Sequence, residues 1–321
     1  MEGINVSEDV PEIKDSFDEQ WSHPEKVTVG KEEFDVYDIS PEEDKLKTGR
    51  PLVIGLGWSE TPLSHKNHIR EFVKGGRRVI SPDTPHGIES DIEETYPTVE
   101  LRKMTALVET LKSRGIDLQK IGEKSETSKI DLMGRSEGAM FSILLAYLYP
   151  GLVDTLILEN PAGLMGETNP SDFFKHWRAD MKQQANKEYV EPNPSEMKHE
   201  SVPMFDVLKQ NFLQTGKSVW AISWADMRDM LKDIRANGTK VIVMATTDDK
   251  LFPIEKMAGR VEPMPDSITG REKVIPELTT EHVDGFFSIP GTHISYYANP
   301  EKFSAYINQT LDTVDANRKK T

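Results

Sequence analysis

Short, almost unbroken apolar runs alternate along this chain with longer stretches of helical spacing. "PLVIGLG" (51–57), "RRVISPD" (77–83), "KIDLMG" (129–134), "VDTLILENP" (153–161), "KVIVMATTDD" (240–249) and "HVDGFFSIPG" (282–291) each read as a strand, the first as one buried on both faces. Between them, 68–74 reads as helical, and 97–115 places Val99, Met104, Leu107, Val108 and Leu111 on one helix face before a glycine stop. "GAMFSILLAYLYP" (138–150) is an apolar helix ended by proline. Ahead of this series, "KVTVGKEEFDVYDI" (26–39) alternates apolar and polar residues around Gly30-Lys31, a β-hairpin pattern. Strand and helix in turn, joined by short connections, predict an α/β fold with a mostly parallel, doubly wound sheet.

The rhythm breaks at Gly163. Residues 163–239 offer no buried strand but helical stretches at 172–188, 204–212 and 224–237, with "EYVEPNPSE" as a loop. The chain therefore divides into an acidic arm (1–25), a core (26–162 and 240–321) and a helical insertion (163–239). The arm reads as loosely docked, a closing helix starts at Asn299-Pro300, and the tail from Asp315 reads as frayed.

Composition narrows the function. Lys and Arg number 39 against 54 Asp and Glu, a formal charge of −15, which argues against nucleic acid and against anionic membranes. There is no cysteine, hence no disulfide, thiolate nucleophile or thiolate-held zinc. The acidic first twenty residues lack the basic and apolar regions of a signal peptide, and the longest apolar run, 143–148, is too short to cross a bilayer. A soluble, cytoplasmic protein is expected; oligomeric state is left open.

Chemistry concentrates at three turns. Gly134-Arg135-Ser136-Glu137-Gly138 lies between a strand and a helix. A turn that sharp strains its central residue, lifts the Ser136 hydroxyl above the sheet edge and needs glycines for close strand–helix approach. A serine attacks well only when a base takes its proton and a third group orients that base. Asp248-Asp249 and His293 each follow a later strand, and in an open α/β sheet such carboxyl ends share one edge.

With those segments in order, the chain resembles the α/β-hydrolase family over nearly its whole length. The resemblance implies Ser136 as nucleophile, His293 as general base and Asp249 as the acid, because the family's acid usually stands four residues before a proline, here Pro253. It also implies an oxyanion hole from the Glu137 and Trp58 backbone amides, a cap domain at 163–239, and no metal or cofactor. The family's usual His-Gly in the oxyanion loop reads Leu56-Gly57 here, and the segment between Phe252 and Phe286 is longer than a minimal connection. Within the cap, Phe173, Phe174, Trp177, Phe205, Phe212, Trp220 and Trp224 are expected mostly as its own core, with Trp177, Trp220 and Trp224 as substrate-lining residues. His65 and His68 are expected in a solvated loop rather than on zinc, and His86 in a loop-ordering role. Glu137 is weighed as an anchor for a substrate amine against a side chain turned into the structure. The expected activity is hydrolysis of small to medium acyl esters or lactones. A proline iminopeptidase-like aminopeptidase or an acyltransferase is the alternative, and a ligand-binding relative without turnover the third.

Overall fold

The computed structural model describes residues 16–58, 60–84, 87–88, 98–116, 118, 129–166, 170–185, 212–258, 261–262, 273–274 and 278–318. Eight strands form one sheet: β1 (Glu25–Val29), β2 (Glu32–Ile39), β3 (Leu52–Gly55), β4 (Val79–Pro82), β5 (Ile130–Arg135), β6 (Val153–Glu159), β7 (Lys240–Thr246) and β10 (Gly285–Ile289). Their order is β1-β2-β4-β3-β5-β6-β7-β10, antiparallel through β1, β2 and β4 and parallel from β4 onward. A separate two-stranded antiparallel pair, β8 (Val261–Glu262) and β9 (Lys273–Val274), falls in the long segment before β10. The rest of that excursion, residues 259–260, 263–272 and 275–277, lies outside the described residues.

The two-residue period of a strand explains why these runs are apolar throughout. Val53, Leu132, Leu156, Leu158, Val241 and Val243 point to one face. Leu52, Ile54, Met133, Ile157, Ile242 and Met244 point to the other. The first face packs on α3 (Thr98–Ser113) and α4 (Gly138–Leu148). The second packs on α1 (Ser16–Trp21), α2 (Lys66–Lys74) and the C-terminal helix α10 (Pro300–Arg318). Eight of the eleven residues of α4 are buried, so this helix is covered nearly all round.

Several expectations are corrected. The arm is not loose where it is described: Phe17 and Trp21 of α1 are buried, Trp21 packs on Tyr37, and Asp18 pairs with Arg70 at 2.6 Å. The tail is helical to Arg318, because Asp312 and Asp315 meet the buried Arg77 and Arg318 reaches the Asp154 carbonyl at 2.9 Å.

Between β6 and β7 lie α5 (Pro170–Ala185), α6 (Phe212–Trp224) and α7 (Arg228–Ala236). The sequence pattern did not foresee α6 across 213–223. Gly216 and a run of polar and β-branched residues hide it, and packing on α3 and α5 stabilises it instead. The α7 helix packs on α4 and β7, so it is the crossover returning the chain to the sheet. The loop expected at 188–196 and the helix expected at 204–212, except Phe212, lie outside the described residues. Short helices α8 (Ile254–Ala258) and α9 (Ser295–Ala298) follow β7 and β10 respectively. Among the described residues, no helix is long and apolar enough to cross a membrane.

Candidate active site

Ser136 follows β5 directly and has φ of +52°, one of two described non-glycine residues with positive φ. That left-handed backbone persists because both sides of the turn are held. The Ser136 N–H donates to the Glu159 carbonyl at 2.9 Å, and the Ser136 carbonyl accepts from Ala139 N at 3.1 Å and Ala162 N at 3.0 Å. Gly134 and Gly138 permit the approach: a Cβ on Gly134 would lie 2.6 Å from the Ala139 Cα, and one on Gly138 only 2.1 Å from the Gly55 carbonyl oxygen.

The ends of β7 and β10 bring the partners. His293 Nε2 lies 3.2 Å from Ser136 Oγ, and His293 Nδ1 lies 2.7 Å from Asp249 Oδ2. With Nδ1–H donating to the carboxylate, Nε2 is left as the acceptor for the serine hydroxyl. The other Asp249 oxygen accepts the Leu251 and Phe252 amides, both at 2.8 Å, which sets the carboxylate's orientation. Asp248 is not part of this array; its N–H donates to the Gly291 carbonyl at 2.8 Å and ties the two loops together. All three array residues are buried, and the Phe252 ring meets the His293 ring edge-on. Burial presses the His293 pKa down, but the charge and hydrogen bond of Asp249 outweigh it and raise it above the ordinary 6.5.

The Glu137 and Trp58 amides donate to no described group. Glu137 precedes the first turn of α4, where helix dipole and unpaired N–H groups favour negative charge. Its carboxylate is buried and bonded to Lys103 of α3, which takes it away from any role as an amine anchor. Beside it, burial and the Glu137 carboxylate push the Glu100 pKa well above the usual carboxylate range.

Of the expected lining residues, Trp177 is half-buried against Phe174. Trp220 and Trp224 are 49% and 43% exposed, with ring centroids 6.3 Å apart. His86 and Phe205 lie outside the described residues. A groove of about 810 Å³ between β10 and α10, lined by Phe287, Tyr306 and Val314 among others, lies on the sheet's outer edge and includes none of the array.

His65 and His68 correct the expectation of a solvated loop. Both are 1% exposed; His65 Nε2 meets Glu60 at 3.0 Å, and His68 stacks on Tyr296 while its Nε2 donates to that residue's carbonyl at 2.7 Å. The signal was present but unused, since His68, Ile69 and Phe72 share the buried face of α2. A cluster of the buried Glu60, His65, Arg135 and Glu159 with the half-buried Tyr297 was missed altogether. Burial keeps the Glu159 carboxyl protonated up to about 7, against the pull of Arg135.

No family model and no curated protein sequence matches this chain. Solved structures do. A candidate lipase of Acinetobacter baumannii AYE has a TM-score of 0.64 at 14% identity, covering 96% of this chain and 99% of its own. A thermophilic esterase of Thermogutta terrifontis has a TM-score of 0.56 at 18% identity, covering 91% and 99%. An α/β hydrolase enzyme from a Medee basin deep-sea metagenome library has a TM-score of 0.58 at 15% identity, covering 90% and 97%. Identities this low speak for backbone architecture alone, and that architecture agrees with the sheet order and the strained strand–helix turn: the chain has the α/β-hydrolase fold.

Proposed function

We propose that the protein is a serine carboxylic-ester hydrolase acting on small to medium acyl esters or lactones. The observation that carries this reading is the continuous Ser136–His293–Asp249 hydrogen-bonded array on a strained turn. Ser136 Oγ attacks the ester carbonyl carbon as His293 Nε2 takes the hydroxyl proton. Asp249 holds the imidazole tautomer and stabilises the imidazolium. The Glu137 and Trp58 amides receive the tetrahedral oxyanion, a contribution of about 3 kcal/mol per donor. Collapse expels the alcohol, which takes the proton from His293. Water, deprotonated by the same histidine, then releases the acid and restores Ser136.

The test is hydrolysis of a p-nitrophenyl ester series from two to twelve acyl carbons, with lactones beside it, wild type against Ser136→Ala. A Ser136-dependent rate is expected; hydrolysis that survives in Ser136→Ala sinks the mechanism. One observation favours an aminopeptidase as the second reading. Asp180 of α5 is 2% exposed, and its negative charge reaches His293, as an anchor for a substrate amine would. Ser136-dependent cleavage of aminoacyl arylamides, with none of the esters, would select that reading.

A further inference from the structure

The residue before Ser136 is a fully buried arginine whose guanidinium meets the loop after β3, the end of β6 and the His293 loop. Arg135 is 1% exposed. One terminal nitrogen, Nη1, donates to Glu60 Oε1, and the other, Nη2, donates to the backbone carbonyl of His293 at 2.8 Å. Its Nε faces Glu159 Oε2 at 3.0 Å, near enough to pair but not aligned to donate. Tyr296 and Tyr297, three and four residues after His293, offer their rings to the cation at 4.9 and 4.7 Å from the centroids.

Glu60 relays this hold to the loop carrying Trp58. Its Oε2 accepts the Gly57 N–H at 2.6 Å and lies opposite His65 Nε2 at 3.0 Å, while Oε1 also accepts the Tyr297 hydroxyl. A Cβ on Gly57 would fall 2.7 Å from Glu60 Oε2, so the loop approaches this closely only with glycine there. Burial opposes the Glu60 charge, yet Arg135 and His65 hold its carboxyl well below the usual range, so the pair is ionic. Glu159, the third partner, supplies the carbonyl that fixes the Ser136 N–H at 2.9 Å.

A buried ion cluster of this size is a poor device for stability, because desolvation cancels most of the attraction and a packed apolar core does as well. What the planar fork adds is direction at two points at once, which a lysine ammonium does not supply. We infer that Arg135 is a positioning residue: its guanidinium sets the spacing between Ser136, the His293 loop and the Trp58 amide. The inference rests on the serine-hydrolase reading for its chemistry, but its geometry can be tested without knowing the substrate.

The probe is an alkyl fluorophosphonate, which reports on the array itself. Ser136 Oγ forms a bond to phosphorus, fluoride leaves with the electron pair of the P–F bond, and His293 takes the serine proton. Wild type, Arg135→Lys, Arg135→Met and Glu60→Gln are compared by labelling rate and final labelled fraction, and by kcat and KM on the best p-nitrophenyl ester. Arg135→Lys is expected to lose about 10–100-fold in labelling rate and kcat, since a displacement near 1 Å costs that much. KM should stay within about twofold of wild type, and the labelled fraction should remain complete. Arg135→Met should lose more than the lysine variant, and Glu60→Gln should follow Arg135→Lys.

A fully labelled Arg135→Lys that reacts within threefold of wild type overturns the inference. So does a loss explained by a smaller labelled fraction, which marks a purely structural residue. Should Arg135→Lys not fold, Glu60→Gln decides by the same two readouts. Failure of the esterase reading looks different: wild type would label at Ser136 yet hydrolyse no ester.

Discussion

Gly138→Ala isolates the close approach that the turn depends on. The added Cβ would sit 2.1 Å from the Gly55 oxygen, 2.6 Å from its carbon and 2.7 Å from the Leu56 oxygen, all backbone atoms with no rotamer to give way. Ordinary contact starts at 3.4 Å. The start of α4 and the end of β3 must therefore part by about 1.3 Å, an overpacking strain of about 1–3 kcal/mol. Because β3 leads into Gly57 and Trp58 while α4 begins beside Ser136, the same movement separates the two amides proposed for the oxyanion. A displacement of that size costs about a hundredfold in rate. The assay pairs urea unfolding with fluorophosphonate labelling, and Gly216→Ala on α6 is the control, since its Cβ meets nothing within 4 Å. The control should gain about 0.5–1 kcal/mol in helix stability. A Gly138→Ala protein that labels within threefold of wild type and melts with it would refute the argument.

The pH dependence follows from the groups beneath and beside Ser136. His293 acts as a base only when neutral and its pKa is raised by Asp249, so kcat/KM should climb with pH through a midpoint above 6.5. Asp249→Asn should lower kcat by about 10⁴-fold, because the imidazole loses its fixed tautomer; a pH–rate profile of both proteins checks the two statements. Glu159 gives a stability prediction with a definite sign. Its folded pKa of about 7 stands above the ordinary 4.5, so the folded state keeps a proton that the unfolded state releases between those values. Unfolding free energy should fall by about 3 kcal/mol as pH rises through that window, and Glu159→Gln should flatten the slope in urea titrations. In the core, Ile143→Ala on the fully buried face of α4 should cost about 2–5 kcal/mol in the same titrations with the labelling chemistry intact.

The strands were readable because both their faces are covered: runs such as "IDLMG" and "LILE" have no polar side to disguise them, and each was bounded by glycine or by a turn. Ser136 was readable for a related reason, following such a run at the sheet's carboxyl edge, whereas His293 follows the half-exposed edge strand β10 and was readable from its place in chain order after the last strand. The helix Phe212–Trp224 was not, since its face is covered by α3 and α5 and its own residues show little helical preference. The docked arm was masked by its charge, though Phe17 and Trp21 carried the signal.

Taken alone, the sequence determined the α/β alternation, the strained Gly-x-Ser-x-Gly turn and the chain order of Ser136, Asp249 and His293, because these follow from local periodicity and backbone sterics. The family resemblance already pointed to Asp249 rather than Asp248, and tertiary structure supplied the contact itself: Asp249 reaches the histidine while the Asp248 N–H ties its loop to Gly291. It also turned Glu137 away toward Lys103 and gathered Glu60, His65, Arg135, Glu159 and Tyr297 into one cluster. Those five come from the ends of β5 and β6, the loop after β3, the turn before α2 and the short helix α9, and long-range charge pairing of that kind leaves no mark in spacing or composition.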